Sequence, residues 1–148
     1  MIGPVKAGWL SRKLPDDLGV SAGKLKSCPE SPNCVNSQAA GRSAISPIAY
    51  RGDAVAAWRA LQDVLAGMDR LQVVEQKDNY LRAEARSRML GFVDDVEFYL
   101  DVYARVIHMR SASRLGYSDL GVNRARMEQV RSRIIARLGQ AAAGKPAP

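Results

Sequence analysis

Between Leu71 and Ser113 the chain runs through four strand-like segments separated by short turns, and nothing else in the sequence limits the fold as tightly. The segments are Leu71–Gln76, Tyr80–Ser87, Phe92–Asp101 and Arg105–Ser113. In the second, Leu81, Ala83 and Ala85 alternate with Arg82, Glu84 and Arg86; in the third, Phe92, Val96, Phe98 and Leu100 alternate with Asp95, Glu97 and Tyr99. Side chains of a strand point alternately to its two faces, so this pattern predicts strands with one apolar and one polar face. The links Lys77-Asp78-Asn79, Met89-Leu90-Gly91 and Asp101-Val102-Tyr103-Ala104 suit antiparallel turns. Folding about Leu90-Gly91 puts Arg86 opposite Asp95, a cross-strand pair that stabilises a sheet by ~0.2–1 kcal/mol. The charged face reads as a solvated sheet surface, with a substrate-binding face as the other reading.

Helical spacing brackets this region. Upstream, Pro47-Ile48-Ala49-Tyr50 reads as a short edge strand and Asp53 as the N-cap of a helix whose stripe is Ala54, Trp58, Leu61, Leu65 and Met68, ending near Gly67. Downstream, Met127, Val130, Ile134 and Leu138 give a second stripe, from about Val122 to Leu138, with Gly139 closing the helix. The expected fold is α+β: an antiparallel sheet of four to five strands with two helices packed on one face. Residues 1–44, rich in Gly, Pro, Ser and Lys, read as an extended N-terminal arm; 45–139 form the domain, and 140–148 a flexible tail. A chain of 148 residues with 47% hydrophobic content can bury one core unaided.

The formal charge is +7, unevenly spread: residues 53–101 hold 6 basic and 10 acidic groups, residues 102–148 hold 9 and 2. An acidic middle facing a basic end suggests neutralisation inside the fold, which weakens a nucleic-acid reading of the surplus. Few aromatics are available for base stacking along the basic final helix. No apolar run reaches the ~18–20 residues of a membrane span, so a soluble protein is expected. The first ten residues are not a secretory leader, which points to the cytoplasm unless a leader has been removed.

The stretch from Arg110 to Arg126 concentrates polar chemistry between a strand end and a helix start. Arg110, Ser111, Ser113, Arg114, Asn123, Arg124 and Arg126 form a candidate anion site, because helix-start amides and arginine forks both favour phosphate or carboxylate. The alternative is an internal clasp, in which Asn123 or Asp119 caps the helix and the arginines pair with Asp94, Asp95 and Glu97. Asp94 shares a face with Phe92 and Val96, so it needs an arginine or a cluster of amides. Cys28 and Cys34 are the only cysteines, able to form a disulfide in an oxidising compartment and free thiols in the cytosol. His108 is the only histidine and reads as a plain strand residue; with it, four zinc ligands are not available in a monomer. No nucleophile elbow, phosphate loop or dinucleotide fingerprint occurs, so no catalytic residue, metal or cofactor is assigned.

Two blocks resemble an uncharacterised family of bacterial and plastid proteins, a domain of unknown function. They are Cys28-Pro29-Glu30-Ser31-Pro32-Asn33-Cys34-Val35-Asn36-Ser37, and Phe92–Phe98 running through Arg110-Ser111-Ala112-Ser113-Arg114-Leu115-Gly116 to Asn123-Arg124-Ala125-Arg126. Asn36 stands where the family pattern has Ser. The resemblance covers about residues 18–138 and implies that the cysteine arm and the Arg/Ser/Asn loop meet in space. Many members carry an export or membrane-targeting leader, which implies a periplasmic or envelope location. The leading expectation is a non-enzymatic binding or accessory domain whose loop holds an anionic small molecule, a lipid headgroup or a partner's carboxylate. The rival is an enzyme with Asp94, Asp95 or Glu97 as acid or base and Arg110 or Arg114 stabilising negative charge. Nucleic-acid binding through the final helix is a third reading.

Overall fold

A computed structural model of the chain describes residues 13–87, 92–116 and 119–143, the side chains of 140–143 excepted. The expected Met89-Leu90-Gly91 turn, the start of the arm and the end of the tail lie outside the described residues. Asp53 opens helix α1 (Ala54–Ala66) by accepting the free amide of Val55 at 3.1 Å, and Gly67 ends it. Strands β5 (Leu71–Gln76), β6 (Tyr80–Arg86), β7 (Val93–Asp101) and β8 (Val106–Ser113) follow as an antiparallel meander. Helix α2 (Val122–Ala143) then packs beside α1. Leu61, Leu65, Leu81, Val96, Phe98, Ile107, Met109, Met127, Val130 and Ile134 are sealed from solvent in the core between the helices and one sheet face.

The fold is α+β, with more strands than the sequence suggests. Among the described residues six strands form the sheet: β3 (Cys34–Asn36), β8, β7, β6 and β5 in that order, with β4 (Ile48–Ala49) also pairing with β8. The additional strand, β3 (Cys34–Asn36), comes from the segment read as an arm and lies antiparallel to β8, Cys34 opposite Ala112 and Asn36 opposite Arg110. Three residues are too few to show a period in sequence. A separate two-stranded hairpin, β1 (Val20–Ser21) and β2 (Lys24–Leu25), turns on Ala22 and Gly23, both at positive φ, the geometry whose twist matches a tight hairpin.

Three expectations are corrected. The β6–β7 register places Glu84, not Arg86, opposite Asp95, while Arg86 faces Val93. Two carboxylates tolerate this opposition because arginines reach between them. The charged sheet face is not solvated either: Glu97 is fully buried, Asp95 is 2% exposed and Arg82 8%. The arm covers it, with the Gly19 amide donating to Glu97 Oε2 at 2.8 Å, the Leu25 amide to Gln38 Oε1 at 2.8 Å, and Asn36 Nδ2 to the Lys26 carbonyl at 2.9 Å. Last, Gly139 does not close α2, which runs on to Ala143. Gly139 has no left-handed φ, so the turn that would stop the helix is not made. A Cβ at this position meets open space, so Gly139→Ala is expected to raise stability by about 0.5–1 kcal/mol in a denaturant melt.

Candidate functional site

The meander delivers alternate residues of β6, β7 and β8 to the face beneath the arm, and these build an ionic layer. Arg114, just beyond β8, grips Asp95 with Nε at 2.7 Å and Nη2 at 2.8 Å, and Nη2 also reaches Glu84 at 2.7 Å. Arg82 completes the lattice through Asp95 at 3.1 Å and Glu84 at 3.2 Å. Planar guanidinium forks suit this bridging in a way a lysine does not. Arg82 escaped the sequence reading because a strand arginine on an alternating segment looks like a surface residue.

On the helix side, Asn123 is a buried hub. It accepts from Ser111 Oγ and from Arg126 at 3.1 Å, and its amide donates to Asp119 at 2.6 Å, Ser113 Oγ at 2.9 Å and the Asn33 carbonyl at 3.3 Å. Asp119 accepts the amides of Gly121 at 2.8 Å and Asn123 at 3.0 Å. The start of α2 does attract an anion, and the anion is the chain's own carboxylate. Arg126 pairs with Asp94 at 2.9 Å, supplying the arginine that Asp94 needs on the apolar face. Arg124 holds the carbonyls of Ala44 at 2.9 Å and Arg42 at 2.6 Å. Ser111, Ser113, Asn123, Arg124 and Arg126 therefore tie α2, β8 and the arm to one another.

Arg110 is different. It is 3% exposed, yet its carboxylate contact, Nη1 to Glu97 Oε1, is 3.4 Å long, and Nη2 lies 3.5 Å from the Ser27 carbonyl. Its Nε has no hydrogen-bond partner among the described residues. Glu97 is meanwhile satisfied from elsewhere, by Tyr80 Oη at 2.6 Å and the Gly19 amide. Arg110 lines a cleft of about 320 Å³ between arm and sheet, together with Lys26, Ser27, Asp95 and Arg114, and with Pro15, Leu18 and Pro29 as its apolar wall. Cys28, also in the wall, is joined to Cys34 by a disulfide, which fastens the arm to β3. Pro15, Leu18, Lys26 and Ser27 carry no signal in sequence, since an arm without periodicity gives no sign of what it covers.

A family model described as a protein of unknown function, DUF1499, matches residues 24–134. The chain belongs to the DUF1499 family. No curated protein and no solved structure matches it. The DUF1499 match begins in β2 and ends in α2, so it takes in the disulfide, the ionic layer, the Asn123 hub and Arg110. Among the described residues, no helix of this DUF1499 domain is long and apolar enough to cross a membrane.

Ionisation follows from these contacts. Burial acts to raise Glu84, but hydrogen bonds from Arg82 and Arg114 outweigh it and hold the carboxyl below its usual value of 4.5. Burial likewise acts to raise Asp119, but bonds from Asn123 and Gly121 outweigh it and hold the carboxyl below 3.8. Burial pushes His108, whose Nδ1 lies 3.0 Å from Ser37 Oγ, below 6.5. For all three groups the unfolded chain binds protons at a higher pH than the folded domain does, so stability rises with pH across each interval. Denaturant midpoints are expected to fall first below about pH 6.5, as His108 protonates in the unfolded state, and again below about pH 4.5, as the carboxylates do. His108→Gln is expected to remove the first decline and leave the second.

Proposed function

We propose that this DUF1499 domain is a binding module and that it holds a small anion in the cleft between arm and sheet, with Arg110 as the receptor. One observation carries the reading: a guanidinium 3% exposed, lining a cleft, with a Nε lacking a partner among the described residues and only long contacts elsewhere. Buried charges are ordinarily paired and hydrogen-bonded, and a site built to receive an anion is a recognised departure from that rule. The neighbouring arginines do not share this character. Arg82, Arg114 and Arg126 each have a carboxylate within 3.1 Å. That pairing engages Asp94 and Asp95, and Glu97 is held by Tyr80 Oη and the Gly19 amide, which favours binding over acid–base chemistry. The Cys28–Cys34 disulfide favours an oxidising compartment such as the cell envelope.

The test is a thermal-shift panel of carboxylates, phosphates and sulfate against the wild type and Arg110→Lys, a variant that keeps the charge but loses the fork. A stabilising anion whose effect is reduced in Arg110→Lys is the expected result. A wild-type midpoint that no anion moves would remove the reading.

A further inference from the structure

Resting on the reading that Arg110 receives an anion, we infer that the ligand is a carboxylic acid monoanion with a short apolar body. The argument begins with the fork. Nη1 of Arg110 is turned to Glu97, which leaves the edge formed by Nε and Nη2, whose only contact among the described residues is the Ser27 carbonyl at 3.5 Å. Two parallel N–H donors on one guanidinium edge match the two oxygens of a carboxylate. That edge is covered in this structure, so the acid takes it by displacing the Ser27 carbonyl, while Lys26, 32% exposed, exchanges its surface pair with Asp17 for the acid.

Charge sets the limit of one. Arg114 and Arg82 are committed to Asp95 and Glu84, Glu97 stands beside Arg110, and Lys26 turns inward only by giving up Asp17. The cleft thus offers an incoming group no large positive excess, and Asp95, 2% exposed, is part of its wall. A second negative charge on the ligand would lie close to that carboxylate away from water, where like charges repel strongly. Pro15, Leu18 and Pro29, which also line the cleft, have no polar side-chain atom to satisfy and favour an apolar body.

The experiment is a calorimetric titration of the full chain with acetate, butyrate, hexanoate and octanoate, beside hexyl phosphate, hexanol and inorganic phosphate. Affinity is expected to rise two- to fourfold per methylene until the cleft is full. Hexanoate should exceed hexyl phosphate by about tenfold or more, and hexanol should not bind. Leu18→Gln should flatten the chain-length dependence, and Lys26→Ala should weaken every acid alike; both side chains line the cleft and are partly exposed, so neither should unfold the chain. Inorganic phosphate or hexyl phosphate binding as well as hexanoate would overturn this inference and leave the anion-binding reading standing. Hexanol binding as well as hexanoate would show an apolar pocket without an anion receptor, and no binding by any ligand would end both.

Discussion

Arg114→Ala is expected to lower stability by about 3–5 kcal/mol, the cost of removing one partner from a buried ion pair. For a chain of this size that is a fall of roughly 10–15 °C in thermal midpoint. The reason lies in the register: Glu84 and Asp95 sit opposite each other across β6 and β7, and Arg114 reaches both at 2.7 Å. Without it, the two carboxylates are left with Arg82 and with Arg86, which is 3.6 Å from Glu84 and mostly exposed. The loss should shrink in acid, because Glu84, held low in the wild type, is then free to take up a proton and end the repulsion. Midpoints of wild type and variant at pH 7 and at about pH 4 measure both effects. Arg137→Ala is the control, since its pair with Asp63 spans 3.6 Å between side chains each 52% exposed, and it should shift the midpoint hardly at all. An Arg114→Ala variant that melts like the control would mean that Arg82 and Arg86 neutralise the layer without it.

The same layer shows where the sequence was readable and where it was not. Helix α1 could be read in full, its cap from Asp53 and its stripe from Trp58, Leu61 and Leu65, because a helix packing one face on a core must repeat its apolar residues at that period. Strands β5 to β8 were visible for the matching reason. The buried state of Glu97 was not, because alternation reports only that two faces differ in polarity, not what covers the polar one. A carboxylate under the arm and a carboxylate in water leave the same trace. The cover itself was illegible: β1, β2 and β3 are two or three residues long, and single bonds such as Asn36 to Lys26 and Gly19 to Glu97 hold the arm in place rather than a repeated apolar face. The α2 register was read well except at its end, where Gly139 signals a stop only if the chain turns there.

The candidate site divides in the same way. The Arg110–Arg126 stretch shows its polar content openly, and parity alone shows that Asp94 needs an arginine or a cluster of amides; Arg126 meets that need. Sequence does not distinguish an arginine that is spent from one that is available. Arg110 in β8 and Arg114 just beyond it lie four residues apart, both line the cleft, and both are candidates by sequence. Only distance separates them: 2.7 Å to a carboxylate for one, 3.4 Å for the other.

Glu97→Gln is expected to destabilise the domain by about 3 kcal/mol and, unlike Arg114→Ala, to increase what an anion can restore. The substitution keeps the shape and removes the charge. Glu97 now accepts from Tyr80 Oη, the Gly19 amide and Arg110, and donates nothing. An amide in its place has one acceptor for these donors and brings an NH₂ that must face at least one of them, whichever way it is turned. Arg110 is then a buried cation without a countercharge. If the cleft above it is an anion site, hexanoate supplies that countercharge, so its dissociation constant should drop and its stabilisation, RT ln(1 + [L]/Kd), should exceed that of the wild type at equal concentration. Tyr80, pushed upward by burial and then by Glu97, should also move back toward its ordinary range, an independent spectroscopic sign that the charge is gone. Destabilisation with enhanced rescue identifies Arg110 as the receptor. Destabilisation with no greater rescue than in the wild type would confine Arg110 and Glu97 to holding the arm against the sheet.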